Sequence, residues 1–564
     1  MKPAIIVLAV LLSCSGLCGQ SDFSGMGRSY GRSMVISQHG IAATSHVLAS
    51  QTAAGILARG GSAIDAAIAA NAVLGLVEPM MDGPGGDLFV LYWDARTRQY
   101  AGLNASGPAP RGLTPALLAG KGFREMPSDG IHSVTVPGAV EGWAQIHKRF
   151  GRLPWKDLFT DAIGYAERGF PVTEVIQEAW AGAENVNKLR ANSESTRVFL
   201  PRGKAPEVGE VFRNPDLGRA YRLIANEGSD AFYKGAIAEA ILKTSNHLGG
   251  TMTAHDLLSF APEWVSPIST DYRGARVFEL PPNGQGMAAL EMLNILGTSQ
   301  PDAAGPFSAI EMHKRIEAMK LAYSDLRRYN ADPRSYDVPV AKLLSKEWAL
   351  QRAALINGGR ANCAVTAGPV KPGDTTYLTV VDREGNMASW IQSVSQGFGS
   401  GVTVEGMGFE LHDRGGGFSL DPESPNVLAG GKRPFHTIIP AFMERGDTRI
   451  AFGIMGGANQ PLAHAQFVSN VVDYGMNIQA ALEAPRFTKR TANGCDVSIE
   501  SRVPVTTLLG LSERGHQIAI RREYTQEMGR GQAILHDSRS NTNYAASDPR
   551  TDGAAVPEAI PQQP

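Results

Sequence analysis

The chain has 564 residues, 43% of them hydrophobic and 19% charged, a balance that supports a large core and excludes a disordered or fibrous chain. Its 53 basic and 55 acidic residues give a formal net charge of −2 without long single-sign runs, so there is no electrostatic footprint for nucleic acid. A small-molecule or peptide substrate suits such a surface better.

At the start of the chain, Lys2 precedes an apolar stretch over 4–12 that ends in small and polar residues. That is the layout of a secretory signal, so residues 1–20 are expected to be an export leader, with the product periplasmic or extracellular. The stretch is too short to span a bilayer, and later apolar runs near Ile64 and Val468 are broken by charge or amide groups, so no transmembrane segment is expected. Leu11-Leu12-Ser13-Cys14 resembles a bacterial lipoprotein cleavage box, which would anchor the protein by lipid at Cys14; the alternative is free export. Cys14 and Cys18 fall in the leader, leaving Cys363 and Cys495 as the remaining cysteines, and the sequence leaves open whether they pair.

Small and apolar residues recur at helical spacing over 44–59 until Gly60-Gly61 stops the pattern. Ser62 with Asp65 three residues on predicts a capping box and a helix to about Val77. The run 88–93 reads as a buried strand, and helices are expected over 141–150, 155–168 and 309–329, separated by Gly- and Pro-containing loops. Character changes at Gly373, where β-type runs over 376–381 and 387–392 flank the hairpin-like loop Asp382-Arg383-Glu384-Gly385-Asn386. A strand over 449–455 and a helix-like stretch over 463–484 follow, and the Pro- and Ala-rich tail after Gly553 is expected to be loose.

Thr375 follows Gly373-Asp374 and opens a strand. Cleavage of the Asp374–Thr375 bond would leave a threonine whose own α-amine, titrating at roughly 7.7 to 8.0, can deprotonate its hydroxyl without a histidine. The β-branch narrows χ1 and helps hold the hydroxyl. The same hydroxyl can attack the Asp374 carbonyl first, so one group would serve both maturation and turnover.

The motif Gly373-Asp374-Thr375-Thr376 is followed by Gly397-Phe398-Gly399-Ser400-Gly401, Gly431-Lys432-Arg433-Pro434, Gly456-Gly457, Asp473-Tyr474-Gly475 and Ala484-Pro485-Arg486-Phe487. In order and spacing this resembles the small subunit of the γ-glutamyltransferases. The likeness extends upstream through Gly60-Gly61-Ser62 and Gly83-Pro84-Gly85-Gly86 to Val136-Pro137-Gly138-Ala139, and downstream to Ala546-Ser547-Asp548-Pro549-Arg550. The resemblance implies an α+β fold, a four-layer αββα sandwich of the N-terminal-nucleophile type. It also implies a precursor cut before Thr375 into a large subunit, 21–374, and a small subunit, 375–564, that interleave in one domain. By the same resemblance Thr375 is the nucleophile, Gly456 and Gly457 form the oxyanion hole, and Ser393 stands where a second threonine supports the nucleophile.

The match fails at positions that would hold a γ-glutamyl group. Gly417 stands where an aspartate pairs with the α-amine, no arginine occurs near Leu103-Asn104-Ala105-Ser106, Ser395 replaces an asparagine, and His436 and Thr437 replace paired serines. Losing the buried partner of a charged ligand group costs about 2 to 5 kcal/mol, so these changes bear on substrate choice. Arg414 is a candidate carboxylate contact, the alternative being an exposed loop arginine; His436 is a candidate acyl or leaving-group contact, the alternative being a buried, satisfied histidine. The resemblance thus implies γ-glutamyl transfer or glutathione hydrolysis, with acylase activity on glutaryl or cephalosporin-type amides as the alternative.

Two other classes fit the sequence less well. Gly27-Arg28-Ser29-Tyr30-Gly31 fits G-x-S-x-G but lacks the strand before and helix after it that a nucleophile elbow needs. A scaffold protein with lost activity would have no reason to keep Thr375, Ser393 and the glycine pair. No H-E-x-x-H, Walker-type loop or paired C-x-x-C occurs, so neither metal nor cofactor is expected.

Overall fold

Two seven-stranded sheets lie face to face in the computed structural model, which describes residues 30–365, 373–489 and 493–560. The first strands of these sheets along the chain are β1 (Val35–Ser37), β2 (Ile41–Thr44), β3 (Asp87–Asp94) and β4 (Gln99–Ala105). After a helical stretch come β5 (Glu263–Val265), β6 (Ile268–Tyr272) and β7 (Ala275–Glu279). The hairpin β8 (Asp374–Val381) and β9 (Met387–Ser395) follows, then β10 (Ala441–Arg445) and β11 (Thr448–Met455). The chain closes with β12 (Arg530–Asp537), β13 (Thr542–Ser547) and β14 (Ala554–Pro557).

The first sheet runs β14-β2-β8-β9-β3-β4-β5 and the second β1-β13-β12-β11-β10-β7-β6, with antiparallel neighbours throughout. β8 lies at the middle of the first sheet, covered on both faces. Its residues 375–381 are all buried, so it reads as a continuous apolar and small-hydroxyl run rather than an alternating one.

Helices cover the outer faces. α1 (Val47–Ala58), α2 (Ala63–Val77) and α3 (Ala139–Phe150) share a core with Leu88, Val90, Leu378 and Trp390 of the first sheet. Alanine makes up nearly half of α2, which lets it be buried at every position and lie close to the sheet. On the other side, α4 (Gly286–Leu296), α5 (Ala309–Tyr329), α6 (Gln460–Val472) and α7 (Ile478–Glu483) pack on Met443, Ile450, Phe452 and Ala533. Between the sheets Phe89, Leu91, Tyr377 and Ile391 meet Phe278, Phe442, Met455 and Ile534. The layers are therefore αββα, the α+β sandwich that the sequence resemblance implies.

Several local expectations shift. The helical pattern over 44–59 begins with the last residue of β2, and the helix starts only at Val47, where the His46 side chain accepts the Leu48 N–H. The stretch 155–168 is a 3-10 segment, Trp155–Phe159, followed by the helix Thr160–Arg168. The stretch 463–484 is two helices, broken where Gly475 takes φ +63° and Asn477 caps the second. Over Ala554–Pro557 the chain is not loose: β14 pairs with β2 and closes that sheet edge, which otherwise would expose unpaired backbone groups; residues 561–564 lie outside the described residues. The Ser62–Asp65 capping box is present. Residues 1–20, Cys14 and Gly27-Arg28-Ser29 lie outside the described residues.

Gly453 of β11 sets the spacing of the sheets beside β8, since a Cβ there would come within 2.3 Å of the Tyr377 ring. That ring is fixed at its far end by a 2.8 Å hydrogen bond between its hydroxyl and Ser389. Gly453→Ala should therefore lower stability by about 1 to 3 kcal/mol, read as a lower denaturant midpoint at unchanged m-value.

Candidate active site

β8 and β9 pair Asp374 with Ser395 and Thr376 with Gln392, so Thr375 stands opposite two residues, Ser393 and Val394, and the extra residue of the bulge is on β9. A bulge leaves one residue unpaired and re-aims its side chain. Thr375 and Ser393 are both completely buried. Behind them Thr376 Oγ1 donates to Asp82 Oδ2 at 2.8 Å, and Asp82 also accepts from the Gly83 N–H at 2.7 Å. The glycines of Gly83-Pro84-Gly85-Gly86 are needed for close approach: a Cβ on Gly86 would lie 2.6 Å from the Ser393 carbonyl oxygen and one on Gly85 2.0 Å from that of Glu410.

Two hydroxyls converge on one carbonyl. Thr375 Oγ1 donates to the Asp374 carbonyl oxygen at 2.6 Å, and Ser393 Oγ donates to the same oxygen at 2.7 Å. The hydroxyls are 3.3 Å apart, and the Ser395 N–H, 2.7 Å from Ser393 Oγ, occupies a lone pair of that serine and leaves its proton for the carbonyl. Ser395 holds this amide in place from a left-handed conformation, φ +88°, which is unusual for a non-glycine residue. Arg530 Nη2 lies 3.3 Å from the Asp374 carboxylate. A peptide carbonyl polarised this way, with a hydroxyl at hand, is set up for attack by that hydroxyl.

The glycine pair flanks the same peptide. As β11 ends, Gly456 (φ +147°) and Gly457 (φ +59°) turn the chain into the short 3-10 segment Gly457–Asn459 and then α6. A Cβ on Gly373 would be 3.1 Å from Gly457 Cα, so the pair abuts the residue just before Asp374. Gln285 Nε2 fixes the turn by donating to the Gly457 carbonyl at 2.8 Å and to the Thr437 carbonyl at 2.6 Å, while the Tyr323 hydroxyl donates to Ala458 O.

These groups open onto a cavity of about 730 Å³ whose walls include Gly373, Ser395, Gly457, Thr437, Asp413 and Arg414. Arg414 is not an exposed loop residue: it is 3% accessible and its Nη1 donates to Thr437 Oγ1 at 2.8 Å. Its Nε and Nη2 have no hydrogen-bond partner among the described residues, and neither does Asp413 Oδ2. Burial lowers the Arg414 pKa to about 10 against the pull of Asp87 and Asp413, so the guanidinium is charged at neutral pH. Burial also pushes the Asp413 carboxyl up, with Lys188 opposing.

His436 does not reach the cavity. It is fully buried, 3.0 Å from Asp87 Oδ2 through Nε2 and stacked on Phe89 at 4.8 Å, and burial holds its pKa well below the usual histidine range. It is the satisfied core histidine of the two alternatives. Where a cation was sought near 103–106, a closed amide network stands instead. Asn104 donates to Asn283 at 2.8 Å, Ser106 donates to Asn104 at 2.7 Å, and Asn283 reaches the Pro434 carbonyl at 2.7 Å. A Cβ on Gly417 would come within 2.7 Å of the Phe435 carbonyl oxygen, so this backbone has no room for a side chain there. Arg530 and Gln285 escape sequence reasoning because neither sits in a chemical motif; Asp413 is adjacent in sequence to the candidate Arg414, and only the fold shows that it too lines the cavity.

Among the described residues one group of side chains has metal-like spacing, His313, Glu317 and His516. The Lys320 ammonium lies 2.5 Å from Glu317 Oε1 and neutralises that carboxylate, which argues against a cation there. No helix among the described residues is long and apolar enough to cross a membrane.

An αββα sandwich with a threonine at the start of a buried inner strand is the architecture of the N-terminal-nucleophile hydrolases. Residues 49–558 match the family described as gamma-glutamyltranspeptidase, and the chain belongs to this family of enzymes. It is 37% identical to a glutathione hydrolase-like proenzyme of Bacillus subtilis, over 91% of this chain and 97% of that one. It is 35% identical to the oxamate amidohydrolase proenzyme of Klebsiella pneumoniae, over 92% and 99%. The crystal structure of a cephalosporin acylase from Bacillus halodurans superimposes with a TM-score of 0.87 at 41% identity, covering 95% of this chain and 99% of that one.

Two buried acids behind the site give the fold a pH dependence. Burial raises Asp82 to about 7, against the hydrogen bond from Thr376, and Glu78 to about 8, against the attraction of Arg530. Between about pH 4 and these values both acids are protonated in the fold and ionised in the unfolded chain, so stability falls as pH rises from about 4 and levels off once pH has passed 7 for Asp82 and 8 for Glu78. Asp82→Asn should flatten this loss by up to about 1.4 kcal/mol per pH unit, measured as unfolding midpoints from pH 5 to 9.

Proposed function

We propose that this chain is an exported precursor that cuts itself between Asp374 and Thr375, leaving fragments 21–374 and 375–564 folded together. The observation that carries the reading is the pair of hydroxyl contacts, 2.6 and 2.7 Å, on the Asp374 carbonyl oxygen. Thr375 Oγ1 adds to the carbonyl carbon, the Asp374–Thr375 C–N bond breaks, and the hydroxyl proton ends on the departing nitrogen, giving an ester. Water opens the ester to a carboxylate on Asp374 and an α-amine on Thr375. Relatives named as proenzymes support this sequence of events.

The freed amine then takes the Thr375 hydroxyl proton as the oxygen attacks a substrate amide. The backbone N–H groups of Gly456 and Gly457 receive the tetrahedral oxyanion, a contact worth about 2.7 to 4 kcal/mol per donor. The acyl-enzyme passes its acyl group to water or to an amino-acid acceptor; hydrolysis and transfer differ only in the arriving nucleophile.

For the acyl group, the unpartnered Nε and Nη2 of buried Arg414 favour a carboxylate. The amide network at 104–106 and the crowded Gly417 leave out the two charges with which γ-glutamyl enzymes are expected to hold an amino-acid end. These observations favour an acylase acting on glutaryl-type amides, and the likeness to the cephalosporin acylase agrees with it. A second reading, γ-glutamyl hydrolysis or transfer on glutathione-type amides, rests on Asp413, whose free Oδ2 on the cavity wall can take an α-ammonium.

Thr375→Ala should stay a single polypeptide on a denaturing gel and turn over no amide; two fragments from this variant would sink the assignment. Glutaryl-anilide should be a better substrate than γ-glutamyl-anilide for the mature protein. Arg414→Met should cost about 2 to 5 kcal/mol with the glutaryl compound, more than about thirtyfold in kcat/KM. Preference for the γ-glutamyl compound, lost selectively in Asp413→Asn, would move the assignment to the second reading.

A further inference from the structure

Cys363 and Cys495, whose pairing the sequence leaves open, form a disulfide with a Cα–Cα distance of 5.0 Å, well within the range such a bond spans without backbone movement. The 132 residues of sequence separation between them include the Asp374–Thr375 bond. Cys363 lies on the segment leading to that bond, and Cys495 immediately precedes the strand Asp496–Glu500. Where residues 1–20 are removed as the leader, Cys14 and Cys18 go with them and this pair is the one disulfide the exported chain can make within itself.

The surroundings hold Cys363 from both sides of the cut. On the upstream side, α5 supplies three contacts. His313 Nε2 lies 2.8 Å from the Asn357 carbonyl, Lys320 Nζ donates to the Asn362 carbonyl at 2.8 Å, and Glu317 accepts the Asn362 N–H at 3.2 Å. On the downstream side Arg514, next to α8 (Val505–Glu513), receives the Ala361 N–H on its carbonyl at 2.7 Å and donates Nε to the Gly358 carbonyl at 3.1 Å. His313 Nδ1 and His516 Nε2, 2.8 Å apart, complete the link between the two sides. The segment 357–363 is thus seated on both sides of the cut before the sulfurs are considered, and Cys495 is 4% accessible.

We propose that Cys363–Cys495 is an interchain disulfide of the mature enzyme, joining the fragment that ends at Asp374 to the fragment that begins at Thr375. The inference rests on the self-cleavage proposed above. It gives the cut protein one covalent connection in place of the peptide bond it loses, and it makes the mature form, though made of two polypeptides, a single molecule in an oxidising compartment. The bond forms by thiol–disulfide exchange: two thiols are consumed, and their two electrons and two protons reduce one disulfide of that compartment's thiol-oxidising machinery to two thiols.

The test uses the purified mature protein, treated with N-ethylmaleimide before denaturation so that thiols cannot exchange. Without reductant it should run as one band; with reductant it should resolve entirely into fragments 21–374 and 375–564. Proteolysis without reductant should yield a peptide containing Cys363 joined to one containing Cys495, and Cys363→Ser should show two fragments on both gels. Two fragments from the wild type without reductant would overturn the tether while leaving self-cleavage standing. A single band with reductant present would overturn both.

Discussion

Placing two hydroxyl protons on the Asp374 carbonyl oxygen demands that separate parts of the fold agree to within tenths of an ångström. Thr375 must stand opposite Ser393, and the register shift between β8 and β9, which sets Ser393 and Val394 against this one residue, accomplishes that. Ser393 must stand on the neighbouring strand with its hydroxyl turned the same way, and the Ser395 amide sets that orientation at the cost of an unfavourable backbone conformation. Gly86 must let its loop come to within contact of Ser393, and Gly373 must let the preceding chain rest on Gly457. Each requirement is met by an element fixed elsewhere, so the bulge, the glycine loop and the Gln285-braced turn act as one constraint rather than as independent contributions.

The same burial that makes this geometry rigid sets its electrostatics. Asp82, Asp87 and Glu78 are all pushed upward by loss of water, while His412 and His436 are pushed down, to about 3 in the case of His412. The interior behind the site therefore carries little net charge, apart from cations such as Arg414 that a guanidinium's high intrinsic pKa keeps protonated. Under the acylase reading proposed above, a substrate carboxylate would meet a fixed cation in a medium where screening is weak, so a single arginine could bear strongly on the choice of acyl group.

How much of this the sequence disclosed depends on whether a feature was local. The Ser62–Asp65 cap and the hairpin across 382–386 were legible because turn and cap chemistry is written in adjacent residues. Thr375, Ser393 and Gly456-Gly457 were legible through a resemblance, not through propensity, since an Asp-Thr pair at a strand start is ordinary. The break at Gly475 and the strand at 554–557 were missed because a single glycine inside a helical pattern is often tolerated, and because β14 exists only where β2 offers an unpaired edge. Arg530, reaching Asp374 from 156 residues away, and Gln285, reaching Gly457 across 172, leave no sequence signal that spacing could detect.

Arg414 and His436 show why identical residue-type arguments diverge once packing is known. Both were polar side chains at positions where relatives differ, and both prove buried. The histidine spends its hydrogen-bonding capacity inward, on Asp87, with a stacking face against Phe89, so nothing remains for a ligand. The arginine has five N–H donors in a planar fork, more than Thr437 can use; Nε and Nη2 are buried without a partner among the described residues, on a side chain that helps line the cavity. An unsatisfied buried charge is expensive to maintain in an empty site, and a bound carboxylate is the simplest group that removes that cost. The proposed preference for an acidic acyl group thus rests on donor counting on one side chain, independently of any relative's substrate.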